Sequence, residues 1–129
     1  MSEPRWVAKQ ALVLLHAAAL AEHGGAEGIR DEAALESALA RPVNFLAYGG
    51  TADLSTLAAA YAAAINRNHP FVDGNKRAAF IALGLFLGLN GLRLVADQVE
   101  ATRMMLAVAA GGITEEELAV WVAQRVQPR

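Results

Sequence analysis

Apolar residues recur along this chain at helical rather than strand spacing. Trp6, Ala8, Leu12, Leu15 and Leu20 predict a first helix over residues 5–22, ended by His23-Gly24-Gly25. Asp31 is placed to cap a second helix over 32–40. Arg41-Pro42 reads as its stop, because a proline disfavours helical geometry in the residue before it. Residues 42–52, PVNFLAYGGTA, lack a helical signature. With Phe45, Leu46 and Tyr48 beside a glycine pair, they read as a flap or short hairpin. Asp53 or Ser55 opens a third helix reaching Asn66 or Asn68, and its Ala58, Ala59, Ala62, Ala63 and Ile65 suit close packing. A fourth helix begins near Asn75 and stops at Asn90-Gly91, a left-handed C-cap. Asp97 with Glu100 has capping-box spacing and opens a fifth helix ending at Gly111-Gly112. Thr114 with Glu117 does the same for a sixth, residues 115–126. The expectation is an all-α fold. It is one domain over 1–129, a compact bundle of about six helices joined by short connections.

The fourth helix carries the greasiest stretch, AAFIALGLFLGLNGL, residues 78–92. It falls short of the roughly 20 apolar residues that a bilayer span needs, so it reads as the central core helix and not as a membrane segment. Gly84 and Gly88 lie four apart in it, and each costs about 1 kcal/mol against alanine. A second helix crossing closely would explain them. The composition narrows the function. A formal charge of −2 argues against direct nucleic-acid binding, which favours a basic excess. There is no cysteine, which excludes thiol chemistry and a disulfide framework. MSEPRWVAKQ has an acid and a proline before the apolar run and is no signal peptide, so a cytoplasmic protein is expected.

Polar chemistry collects at the mouth of the fourth helix, in NHPFVDGNKRAAF, residues 68–80. The Asp73-Gly74-Asn75 turn exposes backbone N–H groups that no helical carbonyl satisfies, and the helix dipole makes them an anion site. Lys76 and Arg77 stand in the first turn, where a cation is unfavourable for the helix itself. A bound phosphate chain would reverse that cost. His69, just upstream, could act there as a general base, because imidazole exchanges protons near neutral pH. Asp73 could hold a magnesium ion that bridges phosphates, since magnesium takes few carboxylates together with phosphate oxygens and water. Taken singly, each has an ordinary reading: His69 as a loop or capping residue, Asp73 as a turn residue, Lys76 and Arg77 as solvated surface. Their convergence within nine residues is harder to dismiss. The glycine spacing of a Walker A loop and of a GxGxxG fingerprint is missing.

HPFVDGNKR, residues 69–77, resembles the signature of the Fic/Doc superfamily, and most closely its Doc branch, the death-on-curing toxins. GIRDEAALESALARP (28–42), FLGLNG (86–91) and ITEEELAVWV (113–122) look like other parts of that branch. The resemblance implies a compact helical domain that presents the motif loop to a nucleotide. Most Fic members transfer AMP to a target hydroxyl. Their motif has Gly where this chain has Lys76, and a second Arg at the position of Phe80. Both departures are those of Doc-like members, which transfer the γ-phosphate of ATP to a threonine of elongation factor Tu and arrest translation. By this resemblance His69 matches the catalytic histidine and Asp73 the magnesium-associated acid. Gly74, Asn75, Lys76 and Arg77 match the phosphate-holding stretch. Lys76 would block the AMP-transferring nucleotide pose. A disordered antitoxin segment laid in a groove is the implied partner.

Weaker candidates surround the motif. Phe45 and Tyr48 are read as a flap holding a target segment, with core packing as the alternative. Arg30 and Asp31 are read as capping and pairing residues, and Asn68 as shaping the loop. Phe71 and Phe80 are read as core. His16 and His23 show no partner pattern and are taken as ordinary helix or surface residues. Three functions compete: a Doc-like phosphotransferase using ATP and magnesium, a small AMP transferase, and an inactive protein that binds a partner. Lys76 and Phe80 favour the first over the second, and the intact motif argues against the third.

Overall fold

The computed structural model describes residues 3–129. Among these the all-α expectation holds. Six helices follow one another as α1 Lys9–His23, α2 Glu32–Ala47, α3 Leu54–Asn68, α4 Asn75–Leu89, α5 Gln98–Ala109 and α6 Glu115–Ala123. Two three-residue strands were not anticipated. β1 Leu92–Leu94 pairs antiparallel with β2 Val126–Pro128, with Arg93 opposite Gln127. One core cluster draws residues from all six helices. No helix of the described residues is long and apolar enough to cross a membrane.

The most enclosed helix is α3, and not α4. Every residue from Leu57 to Asn66 is buried, with α2, α4 and α6 packed around it. Alanine makes this possible: six of those ten side chains end at Cβ, so neighbouring helices approach from all sides. The close crossing expected at Gly84 and Gly88 is absent. A Cβ at Gly84 would meet nothing within 4 Å, and one at Gly88 would meet only the Arg129 guanidinium at 3.7 Å. Phe71 is core as expected, but Phe80 is 36% exposed on the outer face of α4.

Helix boundaries differ where a competing interaction prevails. Residues 5–8 form an extended strap ahead of α1. Arg5 N–H donates to Asn90 Oδ1 (2.8 Å) and Val7 N–H to the Tyr61 hydroxyl (3.0 Å), while Trp6 stacks on Phe86. α2 does not stop at Arg41-Pro42 but runs through it to Ala47. An interior proline costs about 3 kcal/mol; here the ring is fully buried, and that burial offsets part of the loss. The expected flap therefore shrinks to the connection 48–53. The Asp53, Asp97 and Thr114 caps are all made. The capping box is complete only at Thr114–Glu117. Glu100 instead makes a two-pronged pair with Arg125, 2.9 Å at each prong, tying α5 to the chain after α6. α6 itself ends at Ala123, short of 126, because Val126–Pro128 pairs with β1.

Candidate functional site

The motif loop, residues 69–74, joins α3 to α4 and is held along its backbone. His69 caps α3 in the left-handed region (φ 52°), where it is the one described residue other than glycine with positive φ. Such geometry costs a β-carbon-bearing residue about 1–3 kcal/mol and persists only where the surroundings over-determine it. Here they do. Arg30 donates from Nε to the His69 carbonyl oxygen (2.7 Å) and from Nη2 to that of Asn68 (3.0 Å). The N–H groups of Arg30 and Asp31 both reach the Pro70 carbonyl oxygen, and Val72 N–H donates to that of Gly28. Asn68 Nδ2 donates to Ala34, as befits a loop-shaping residue. The His69 ring stays exposed.

The underside of the loop rests on His16, which by sequence alone reads as an ordinary helix residue. His16 is buried, 2% exposed, with its ring 4.0 Å from that of Phe71. Its Nε2 lies 2.9 Å from the carbonyl oxygen of Asp73. A carbonyl only accepts, so Nε2 carries a proton. A signal was present: Leu12, His16 and Leu20 are spaced by four and form the buried stripe of α1. His23, by contrast, is exposed. Gly74 is required twice. Its φ is +71°, and a Cβ there would lie 3.0 Å from His16 Nε2 and 3.1 Å from Leu20 Cδ2.

The chemistry-bearing groups meet at the start of α4. The first helical bond is Ala78 N–H to the Gly74 carbonyl oxygen, and the backbone N–H groups of Asn75, Lys76 and Arg77 have no acceptor among the described residues. No acid occupies the first turn. Lys76 and Arg77 are exposed and make no ion pair among the described residues. Asp73 is exposed; Oδ1 accepts from Gly74 N–H (2.8 Å) and Oδ2 from Ala26 N–H (3.3 Å). Each carboxylate oxygen keeps a further lone pair. No three His, Asp or Glu side chains converge among the described residues. A single exposed carboxylate beside an anion site suits magnesium arriving with phosphate oxygens, and not a metal caged by protein alone. The Asn75 side chain is buried and bonded within the loop, so only its backbone N–H is left for a ligand.

Beyond Lys76 and Arg77, Phe80 leads into a groove of about 380 Å³ between α4 and α5, walled by Ala96, Ala101 and Met105. The flap candidates lie elsewhere. Phe45 is on α2 beneath the Arg41 guanidinium (5.5 Å), and Tyr48 at the end of α2 is 88% exposed. Neither joins the hydrogen bonds of the motif loop.

A family model described as the Fic/DOC family matches residues 6–87. The chain belongs to the Fic/DOC family. The match takes in His16, Arg30 and the whole motif loop, and stops before α5. The chain is 33% identical over 115 residues to the protein kinase doc of Escherichia phage P1, covering 89% of this chain and 90% of that one. It is 45% identical over 76 residues to the toxin Doc of Mycolicibacterium smegmatis, 57% of this chain and 58% of that one. Within the Fic/DOC family it therefore falls in the Doc branch.

Proposed function

We propose that this Doc-branch protein is a toxin that transfers the γ-phosphate of ATP to a threonine hydroxyl of a translation factor, elongation factor Tu, and so arrests translation in the cytoplasm. The observation that carries the reading is the start of α4. Among the described residues, three N–H groups without an acceptor and two exposed cations without an ion pair stand at the start of one helix beside an exposed histidine, in a chain one-third identical to a protein kinase doc. Such an arrangement holds phosphate oxygens and stabilises charge on a group in transfer. The N–H groups of Asn75, Lys76 and Arg77 bind the phosphates, and the Arg77 guanidinium can clamp two oxygens at once. His69 takes the proton of the attacking hydroxyl. Asp73 is the residue that would hold magnesium, which when bound would offset the negative charge of the phosphates. Lys76 projects where AMP-transferring members have no side chain, which favours γ-phosphate over AMP transfer.

The partner on this reading is an antitoxin with a disordered inhibitory segment. The α4–α5 groove offers it apolar walls, with the Lys76 and Arg77 cations at one end, so a segment with apolar side chains and a carboxylate would complement it. To test the function, purified protein is added to a cell-free translation lysate. Synthesis should stop in an ATP-dependent way and recover when unmodified elongation factor Tu is supplied. Arrest that needs no ATP, or no arrest by protein that binds ATP, would favour a partner-binding role instead.

A further inference from the structure

One hydroxyl lines the groove between α4 and α5. Lys76 and Arg77 stand on its α4 wall and Thr102 on its α5 wall, and no other serine, threonine or tyrosine borders it. At about 380 Å³ the groove is the size of one small-ligand cleft, so groups on opposite walls face a common space. Thr102 is exposed. A threonine inside a helix often gives its hydroxyl to the carbonyl oxygen one turn back. Here it does not. The side-chain bonds at this end of α5 are made by Asp97 and Glu100, and the Thr102 hydroxyl makes none among the described residues. Lys76 and Arg77 likewise have no ion pair there. A free threonine hydroxyl, the group on which the proposed reaction acts, thus shares one groove with the cations read above as holding phosphate.

We infer that Thr102 is a site of self-phosphorylation, by which the protein fills its own groove with a phosphate and silences itself. The inference rests on the phosphotransfer reading above and extends it from a target threonine to one of the chain's own. The Oγ–H bond of Thr102 breaks, and its proton passes to water, to which the groove is open. The freed electron pair forms the bond from Oγ to the γ-phosphorus of ATP. The bond from that phosphorus to the bridging oxygen breaks, and its electron pair leaves on ADP. His69 does not line the groove, so no base is set on this hydroxyl. A loose transition state needs little activation of the attacking oxygen. The step therefore runs, but slowly beside transfer to a target. It stays within one chain, because hydroxyl and cations share one groove. The product carries a charge of about −2 and three acceptor oxygens. With Lys76 and Arg77 across the groove, phosphothreonine forms the ion pairs that they lack. The phosphate then takes the cations from ATP and the groove from an antitoxin segment.

The test incubates the purified full-length chain alone with γ-labelled ATP at several protein concentrations. The label is mapped by peptide mass spectrometry, and transfer to elongation factor Tu is then measured. One phosphate per chain should appear on Thr102, at a first-order rate that does not change with protein concentration. That rate should be about 10²-fold or more below transfer to the factor, for want of a base. The label should persist in His69→Ala and be absent from Thr102→Val. As Thr102 fills, transfer to the factor should fall by about 10-fold or more. Thr102→Val, held with ATP for the same time, should keep the wild-type rate. Label on the factor with none on Thr102 after prolonged incubation overturns the inference, and that result needs no variant to fold. So does labelling that accelerates with protein concentration, or a phosphorylated chain that transfers at the original rate. Label on Thr102 with none on the factor supports the inference and removes the proposed target. Label on neither, in protein that binds ATP, ends the phosphotransfer reading and this inference with it.

Discussion

Two glycines in the same backbone conformation separate strain from contact. Gly74 has φ +71° and Gly111 φ +75°, yet a Cβ at Gly111 would meet nothing within 4 Å. Alanine at either position incurs the left-handed penalty, about 1–2 kcal/mol. At Gly74 the new methyl also lies 3.0 Å from His16 Nε2 and 3.1 Å from Leu20 Cδ2. His16 has no room to retreat, being packed on Phe71 and buried. Displacing it leaves a buried donor facing no acceptor, about 1–3 kcal/mol more. Gly74→Ala should therefore lose about 2–5 kcal/mol and Gly111→Ala about 1–2 kcal/mol. With an unfolding entropy of about 2.1 cal/mol/K per residue, each kcal/mol is about 4 °C in Tm for a chain of this length. The assay is urea denaturation of both variants, with thermal melts alongside. Phosphate titration followed at the loop amides should show weakened binding for Gly74→Ala alone. Equal stability losses in the two variants would refute the claim that His16 supports the loop from below.

Replacing the strained histidine by glycine should separate stability from activity. His69→Gly relieves the left-handed penalty and should raise stability by up to about 1 kcal/mol, while lowering transfer by about 10²- to 10⁴-fold; a melt and a γ-label assay on one preparation check both. Arg30→Ala removes two charge-assisted bonds to the carbonyl oxygens of His69 and Asn68 and should cost about 1–3 kcal/mol. Its kcat should fall more than its affinity for nucleotide, as seen by comparing turnover with equilibrium binding. Burial pushes the Tyr61 hydroxyl up from its ordinary value near 10, against the weaker opposing effect of the Val7 N–H. The native state thus keeps a proton that the unfolded chain sheds. The stabilisation is fully present below the unfolded pKa and declines as pH rises through and above about 10. Urea midpoints for wild type and Tyr61→Phe across that range should converge as the pH climbs.

What the sequence made legible was what local chemistry decides. The caps at Asp31, Asp53, Asp97 and Thr114 and the Gly91 stop are made by residues a few positions apart, and the structure has each of them. The motif loop was legible for the same reason, since residues 69–77 are contiguous. What escaped depends on partners far along the chain. Pro42 stays helical because the core takes its ring, which no window around Arg41-Pro42 contains. β1 and β2 are three residues each and exist only by pairing across 30 residues or more. His16 lies 57 positions from Asp73, so its role is invisible in either stretch alone. Asn75 was assigned to phosphate by its place in the motif, whereas its side chain turns inward to Phe71 and His69.

The central claim is that this Doc-branch chain moves a γ-phosphate. The most direct measurement incubates the purified protein and elongation factor Tu with ATP labelled at the γ-phosphate in one reaction and at the α-phosphate in another, with His69→Ala beside each. The account predicts γ-label on a threonine of the factor, no α-label, and loss of the signal in His69→Ala. Incorporation of the α-label alone would contradict it and assign the protein to AMP transfer despite Lys76 and Phe80.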